Sequence, residues 1–202
     1  VAVVVTEVPT GWAGGYVGAN ISFANGSLDA AGGLGDLMNE NGYSSTIAEP
    51  SGTSGAIRGG YDWQNNQLVF GVGGEYNFGK YEGDLKGAFA EIADEEGLGG
   101  LTFGIEQMAT IFGRVGYATN DQVMIYGLLG YTWANGTATL DGESESQNLD
   151  GLTLGLGGEY KFDRNWAAYG EYAYTNFGEL ENSEGLLEAD INLIKFGVNY
   201  RF

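Results

Sequence analysis

From residue 151 to residue 162 the side chains sort by parity. Leu152, Leu154, Leu156, Gly158, Tyr160 and Phe162 fall on one side, and Thr153, Gly155, Gly157, Glu159 and Lys161 on the other. A period of two is that of a β-strand with two different faces. The second face constrains the fold most. In a soluble barrel the apolar face points inward, and the opposite face must be charged enough to sit in water. Glycine, threonine, asparagine and a few charges make a poor solvated surface but a serviceable crowded interior. The same sorting separates Phe70, Val72, Tyr76 and Phe78 from Gly71, Gly73, Glu75 and Asn77, and sets Val123, Ile125, Leu129, Tyr131 and Trp133 on one face of their segment. The last ten residues, "LIKFGVNYRF", repeat it: Ile194, Phe196, Val198, Tyr200 and Phe202 against Lys195, Gly197, Asn199 and Arg201.

Eight such segments can be drawn, at 12–24, 56–64, 68–79, 107–118, 123–135, 151–162, 166–178 and 191–202. The connections alternate in kind. Those at 25–55, 80–106, 136–150 and 179–190 are long, acidic and rich in Gly, Ser and Asn, whereas the others are tight turns built on Asn65-Asn66, Thr119–Gln122 and Asp163–Asn165. Asn and Asp in short links are hairpin chemistry. Long loops at one end and short turns at the other describe an up-and-down meander, and an even strand number brings both termini to the short-turn end. A soluble meander barrel shares that layout; the face argument decides for the inside-out one. The expected fold is therefore all-β, an eight-stranded antiparallel transmembrane β-barrel over 12–202 with four long acidic loops, preceded by a segment 1–11 left in the aqueous space beside the short turns. No apolar run approaches the roughly 18 to 20 residues of a membrane-spanning helix. The opening "VAVVVTEVPTGW" has no initiator Met, as expected of a chain whose signal peptide has been removed.

Aromatic residues gather near the ends of the segments, as interfacial girdles require. Trp63, Tyr117, Phe162 and Trp166 are assigned to the short-turn rim, and Phe23, Phe78, Trp133 and Tyr174 to the long-loop rim. On the inward parity stand five of the eight basic residues, Arg58, Arg114, Lys161, Lys195 and Arg201, with the acids Asp62, Glu75, Glu159 and Glu171. Charges away from water persist only when paired or hydrated, so the expected arrangement is a lumenal salt-bridge network; a charged constriction for ions is the sharper alternative. The long loops hold twenty carboxylates against Lys80 and Lys86. Such loops repel nucleic acid and attract cations. Asp141, Glu143 and Glu145 are weak candidates for a divalent cation, without the spacing of an EF-hand loop; no cofactor is expected.

The chain has no Cys and no His. Disulfides and thiolate metal sites are excluded, and a serine or water nucleophile lacks its usual base. An enzyme is therefore not expected. "GVGGEYNF" at 71–78 and "GLGGEYKF" at 155–162 share one pattern. It marks a repeated strand type, since a nucleotide-binding glycine loop would need a turn into a helix start.

"GWAGGYVGANISF" at 11–23, "GRVGYA" at 113–118, "GLGGEYKFDRNWAAYGEYAYTNFG" at 155–178 and the closing "FGVNYRF" together resemble the small outer-membrane β-barrel family of Gram-negative bacteria, with its OmpA-type, OmpX-like and opacity-type members. The resemblance implies the bacterial outer membrane, with short periplasmic turns and extracellular loops. It also implies outer-membrane lipid and lipopolysaccharide as neighbours, and an assembly machinery that reads Phe196, Val198, Tyr200 and Phe202. The function it suggests is a structural, surface-exposed envelope role, with a narrow porin-like channel as the alternative.

Overall fold

The computed structural model describes residues 11–40, 44–85, 102–140, 143–179 and 187–202. In chain order they form β1 (Gly14–Ala30), α1 (Gly32–Glu40), β2 (Thr46–Ala48), β3 (Ser51–Asn65), β4 (Leu68–Asp84), β5 (Thr102–Ala118), β6 (Val123–Leu140), β7 (Glu143–Lys161), β8 (Trp166–Glu179) and β9 (Leu187–Arg201). Each long strand pairs antiparallel with the next, and β9 returns to β1 from Tyr16↔Arg201 to Ala30↔Leu187. The sheet closes as an eight-stranded barrel, leaving no edge in lipid. β2 extends the β3 side upward across a break at Glu49-Pro50, where proline has no N–H to give the ladder; the Pro50 carbonyl still accepts from Gly26 N at 2.8 Å.

Tight turns close the lower end. Asn66 takes the left-handed conformation (φ 56°) in the β3–β4 hairpin, and Asn120 Oδ1 accepts from the backbone N–H groups of Gln122 and Val123, both at 2.8 Å. Following the pairing round the barrel from Val17 through Gly59, Gly74, Ile111, Tyr131, Leu152, Asn176 and Asp190 returns to β1 at Ser27, ten residues above the start. With a rise of about 3.3 Å per residue and about 4.8 Å between strands, that stagger tilts the strands by about 40° and gives an interior that side chains can fill.

Outward positions carry the apolar residues. Val17, Ile21, Ile57, Val72, Ile111, Leu129, Leu154, Phe196 and others are exposed around the barrel. Along β3 ten residues separate Trp63 from Thr53, the partner of Phe23. At the strand tilt this is a band about 25 Å tall, the height an outer-membrane barrel needs.

The upper ends of the strands depart from the sequence reading. β1 runs seven residues beyond Phe23 to Ala30, which at the strand tilt raises it about 17 Å further along the barrel axis. β4 reaches Asp84, β5 begins at Thr102, and β6 and β7 continue as one hairpin to Leu140 and Glu143. Much of the sequence read as loop at 25–55, 80–106 and 136–150 is ladder standing in water, and 32–40 is helix. Its interior also reverses. Leu28, Ile47, Tyr81, Ile105, Met108, Leu149, Phe177, Ala189 and Ile191 form one buried apolar cluster in the upper barrel; the sequence reading drew most of these positions as loop and expected only small and polar side chains inside the barrel. Above the aromatic rim, water is outside, so the apolar residues turn in. Three ladder irregularities lie at this boundary, at Asn77/Lys80, Glu106/Ala109 and Asn176/Gly178. Gln107 (φ 45°) supplies one extra residue, so the buried positions pass from Met108 to Ile105. Gly178 (φ 66°) supplies another, its N–H held by Asn176 Oδ1 at 2.8 Å.

Candidate functional site

The lower lumen holds the charged side chains in two tiers. In the tier nearer the short turns, Asp62 accepts from Arg114 Nε at 2.9 Å and Nη2 at 2.5 Å, and from Arg201 Nη2 at 2.5 Å. Glu159 accepts from Arg114 Nη1 at 3.2 Å, Arg201 Nη1 at 2.9 Å and Asn199 Nδ2 at 3.1 Å. Two guanidiniums and two carboxylates thus form a closed, charge-balanced square, every member at most 4% exposed. Fork-shaped donors matched to carboxylates suit such a site.

The second tier is held by Lys195, which bonds Glu75 at 2.5 Å and Glu171 at 3.1 Å; Glu171 also accepts from Arg58 Nη1 at 3.1 Å and from the Tyr126 hydroxyl at 2.8 Å. Asn20 Nδ2 donates to Glu75 at 3.0 Å. The Arg58 guanidinium lies over the rings of Tyr169, at 4.5 Å, and Phe112, at 5.1 Å. Those ring faces stabilise its Nε and Nη2, which have no hydrogen-bond acceptor among the described residues. Tyr16 separates the tiers, with Arg114 4.4 Å and Arg201 5.3 Å from its ring centre.

Lys161 is buried with the others but enters no ion pair among the described residues. Its ammonium donates to the Gly11 carbonyl and lies 4.4 Å from the ring centre of Trp12. Trp12 is fully buried and turned into the lower mouth. Its indole N–H donates to the Asn120 carbonyl at 3.2 Å, and its own carbonyl accepts from Arg201 at 2.5 Å. The chain ahead of β1 therefore folds in as a plug; residues 1–10 lie outside the described residues.

Above the charges comes a hydroxyl row. Thr110 and Thr132 are register partners on β5 and β6, as are Thr153 and Thr175 on β7 and β8, and Thr132 meets Thr153 diagonally across β6 and β7; the hydroxyls are linked at 2.8, 2.6 and 2.7 Å along the row. Beside it, Ser22 is linked to the Tyr81 hydroxyl and accepts from Asn77, both at 3.0 Å. The upper apolar cluster follows. From Trp12 to Ile105 these inward side chains are buried, Thr110 partly so, held by the ion pairs and hydrogen bonds below and by the apolar cluster above.

Inward glycines create the room. A Cβ on Gly71 would meet Asp62 Oδ1 at 2.1 Å, and one on Gly157 would meet Tyr126 Cζ at 2.5 Å. In both copies of the repeated pattern, two inward glycines precede a lumenal carboxylate, Glu75 or Glu159. The lumenal aromatics Trp12, Tyr16, Phe112, Tyr126 and Tyr169 were missed as site residues. Parity carried the signal for all five, since within the segments drawn they fall on the face opposite the outward apolar set.

Of the aromatic positions, Phe23, Trp63, Phe78, Tyr117, Trp133, Phe162 and Trp166 are exposed on the outer wall, while Tyr174 is half-buried, its hydroxyl accepting from Asn176 at 3.3 Å. Phe196, Val198 and Phe202 face outward; Tyr200 is half-buried and packs edge-on against Trp166 and Phe202 at 5.2 and 5.3 Å. Of the weak cation ligands, Asp141 lies outside the described residues and Glu145 is exposed. Glu143 opens β7. Beyond the upper rim, Lys80 bonds Glu82 at 2.9 Å and Glu106 at 3.0 Å, hydrogen bonds that raise its pKa above the usual lysine value.

Comparison with known proteins gives concordant results. The family profile described as "Outer membrane protein beta-barrel domain" matches residues 3–202. The 31 kDa outer-membrane immunogenic protein of Brucella melitensis is 28% identical over 207 residues, covering 95% of this chain and 84% of that protein. The 22 kDa outer membrane protein of Rhizobium leguminosarum bv. viciae is 28% identical over 155 residues, 75% of this chain and 67% of that one. Neisserial surface protein A superimposes with a TM-score of 0.60 at 19% identity, covering 93% of this chain and 97% of that one. Ail of Yersinia pestis gives 0.52 at 18%, covering 94% and 99%.

Proposed function

Since this chain belongs to the outer-membrane protein β-barrel domain family and resides in the bacterial outer membrane, we propose that it is a non-conducting, non-enzymatic surface protein of the envelope. Its barrel anchors the acidic outer hairpins and supports the membrane around it. The observation that carries this reading is the stack of buried, paired charges beneath a buried apolar cluster among the described residues. An ion crossing it would have to break open both buried, charge-balanced tiers and then pass an apolar core, and each buried pair broken costs roughly 3–5 kcal/mol. The absence of histidine from the whole sequence supports a role without catalysis. The Brucella relative is named as an immunogenic protein, which fits hairpins displayed beyond the lipid.

Outer-membrane lipid and lipopolysaccharide are the neighbours of the apolar wall, and divalent cations the counter-ions of the acidic hairpins. Phe196, Val198, Tyr200 and Phe202 serve as the assembly signal; Phe202→Ala then lowers the amount of protein reaching the outer membrane while leaving the unfolding midpoint of correctly inserted barrels nearly unchanged. Planar-bilayer recording of refolded protein tests the main reading. No conductance steps above the lipid baseline are expected, and reproducible steps would establish the narrow-channel alternative instead.

A further inference from the structure

Among the described residues, the apolar cluster of the upper barrel is incompletely filled at its outer end. It leaves a cavity of about 330 Å³ at the mouth, walled by Leu28, Ile105, Leu149 and Ala189, with Ser27 and Glu145 among its polar margin. That volume falls at the lower end of the roughly 300–1,000 Å³ range of small-molecule sites, and the mix of apolar wall and few polar groups is theirs too. The cavity walls come from the strand ends beyond the upper aromatic rim, Leu28 on β1, Ile105 on β5, Leu149 on β7 and Ala189 on β9, above the lipid-facing band.

The charge around the mouth selects among apolar guests. Glu145 is exposed at the margin, opposite Ala138 in the β6–β7 hairpin. The Ser27 hydroxyl lies 2.7 Å from Asp29 Oδ2 and 2.9 Å from Asp190 Oδ2. One hydroxyl has one proton, so it satisfies only one of these carboxylates at a time. Lys80 is the sole cation beyond the upper aromatic rim among the described residues, and Glu82 and Glu106 already hold it. Among the described residues an anionic amphiphile finds no uncommitted cation at this mouth, whereas an ammonium finds carboxylates.

We propose that the outer mouth binds small apolar amines, with the hydrocarbon body against Leu28, Ile105, Leu149 and Ala189 and the protonated nitrogen at the carboxylate margin. This binding is independent of whether the lumen below conducts.

The test uses the full chain refolded into zwitterionic lipid nanodiscs, with empty nanodiscs as the blank and correct folding checked by gel mobility. Adamantan-1-amine, a compact ten-carbon cage, is titrated calorimetrically beside adamantane-1-carboxylate. Saturable one-to-one binding of the amine is expected, with at least tenfold weaker binding of the carboxylate. Glu145→Gln should weaken the amine severalfold, and Ala189→Trp, which fills the cavity, should abolish saturation. If Ala189→Trp does not fold, Ala138→Arg at the half-buried margin serves instead, and should weaken the amine at least tenfold. Absence of saturable amine binding above the blank, equal binding of amine and carboxylate, or full binding by the cavity-filling or Ala138→Arg variant would overturn the proposal.

Discussion

Replacing Asp62 with Asn changes few atoms and removes one charge from the lower tier. Asp62 is fully buried and accepts three hydrogen bonds from two guanidiniums, at 2.9, 2.5 and 2.5 Å. An amide accepts at one atom only and turns two N–H groups toward the arginines. Glu159 is then left alone against Arg114 and Arg201, so one buried positive charge is uncompensated. Removing one partner from a buried pair costs roughly 3–5 kcal/mol, a large fraction of the roughly 5–15 kcal/mol by which folded domains are usually stable. Urea unfolding in short-chain phosphatidylcholine vesicles, followed by tryptophan fluorescence and gel mobility, should show that loss. Adding Arg114→Met removes the orphaned cation and leaves Arg201 paired with Glu159 at 2.9 Å. The double variant should therefore be more stable than Asp62→Asn alone by about 2 kcal/mol, a coupling that contacting residues show and distant ones do not. A loss below about 1 kcal/mol for Asp62→Asn, or simple additivity in the double variant, would refute the reasoning, because it would mean that water already solvates these charges.

Two further perturbations probe the wall. Gly157→Ala drives a methyl within 2.5 Å of Tyr126 Cζ and should displace that ring from Glu171, costing about 2–3 kcal/mol, whereas Gly127→Ala on the outer face, with its nearest neighbour at 3.7 Å, should change the urea midpoint by less than about 0.5 kcal/mol in free energy. Gln107 holds a positive φ that glycine adopts freely, so Gln107→Gly should stabilise by about 0.5–1 kcal/mol and the β-branched Gln107→Val should destabilise by about 1–2 kcal/mol in the same assay.

The membrane half of the barrel was legible because two constraints agree there. Lipid demands apolar residues outside, a narrow lumen demands small or paired polar ones inside, and the strand period makes both visible at once. That is why Glu159, Arg201 and Lys195 could be assigned to the interior from parity alone. Above the rim the constraints change. Strands standing in water carry Asp, Ser, Asn and Gly outward, the composition of loops, so hydrogen-bonded ladder at Asn25–Ala30 or Thr137–Leu140 reads as loop. The bulges at Gln107 and Gly178 also shift parity, which interrupts the pattern where it would have revealed the apolar core. Trp12 was drawn as the first residue of strand one, whereas β1 starts at Gly14 and contacts with Arg201, Asn120 and Lys161, remote in sequence, hold the indole in the mouth. Lys161 shows the limit of charge counting, since its parity is inward but its partner is a carbonyl.

The central claim is the inversion itself, with apolar side chains on the lipid face and charges within. Depth-dependent quenching by brominated lipids reads it directly, because the four tryptophans are divided between the two environments. Trp63, Trp133 and Trp166 lie exposed on the outer wall and Trp12 lies in the lumen. In single-tryptophan variants, with the other three changed to Phe, the account predicts that lipid bromine quenches Trp63, Trp133 and Trp166 and leaves Trp12 unaffected. Equal quenching of Trp12, or no quenching of the other three, would contradict it.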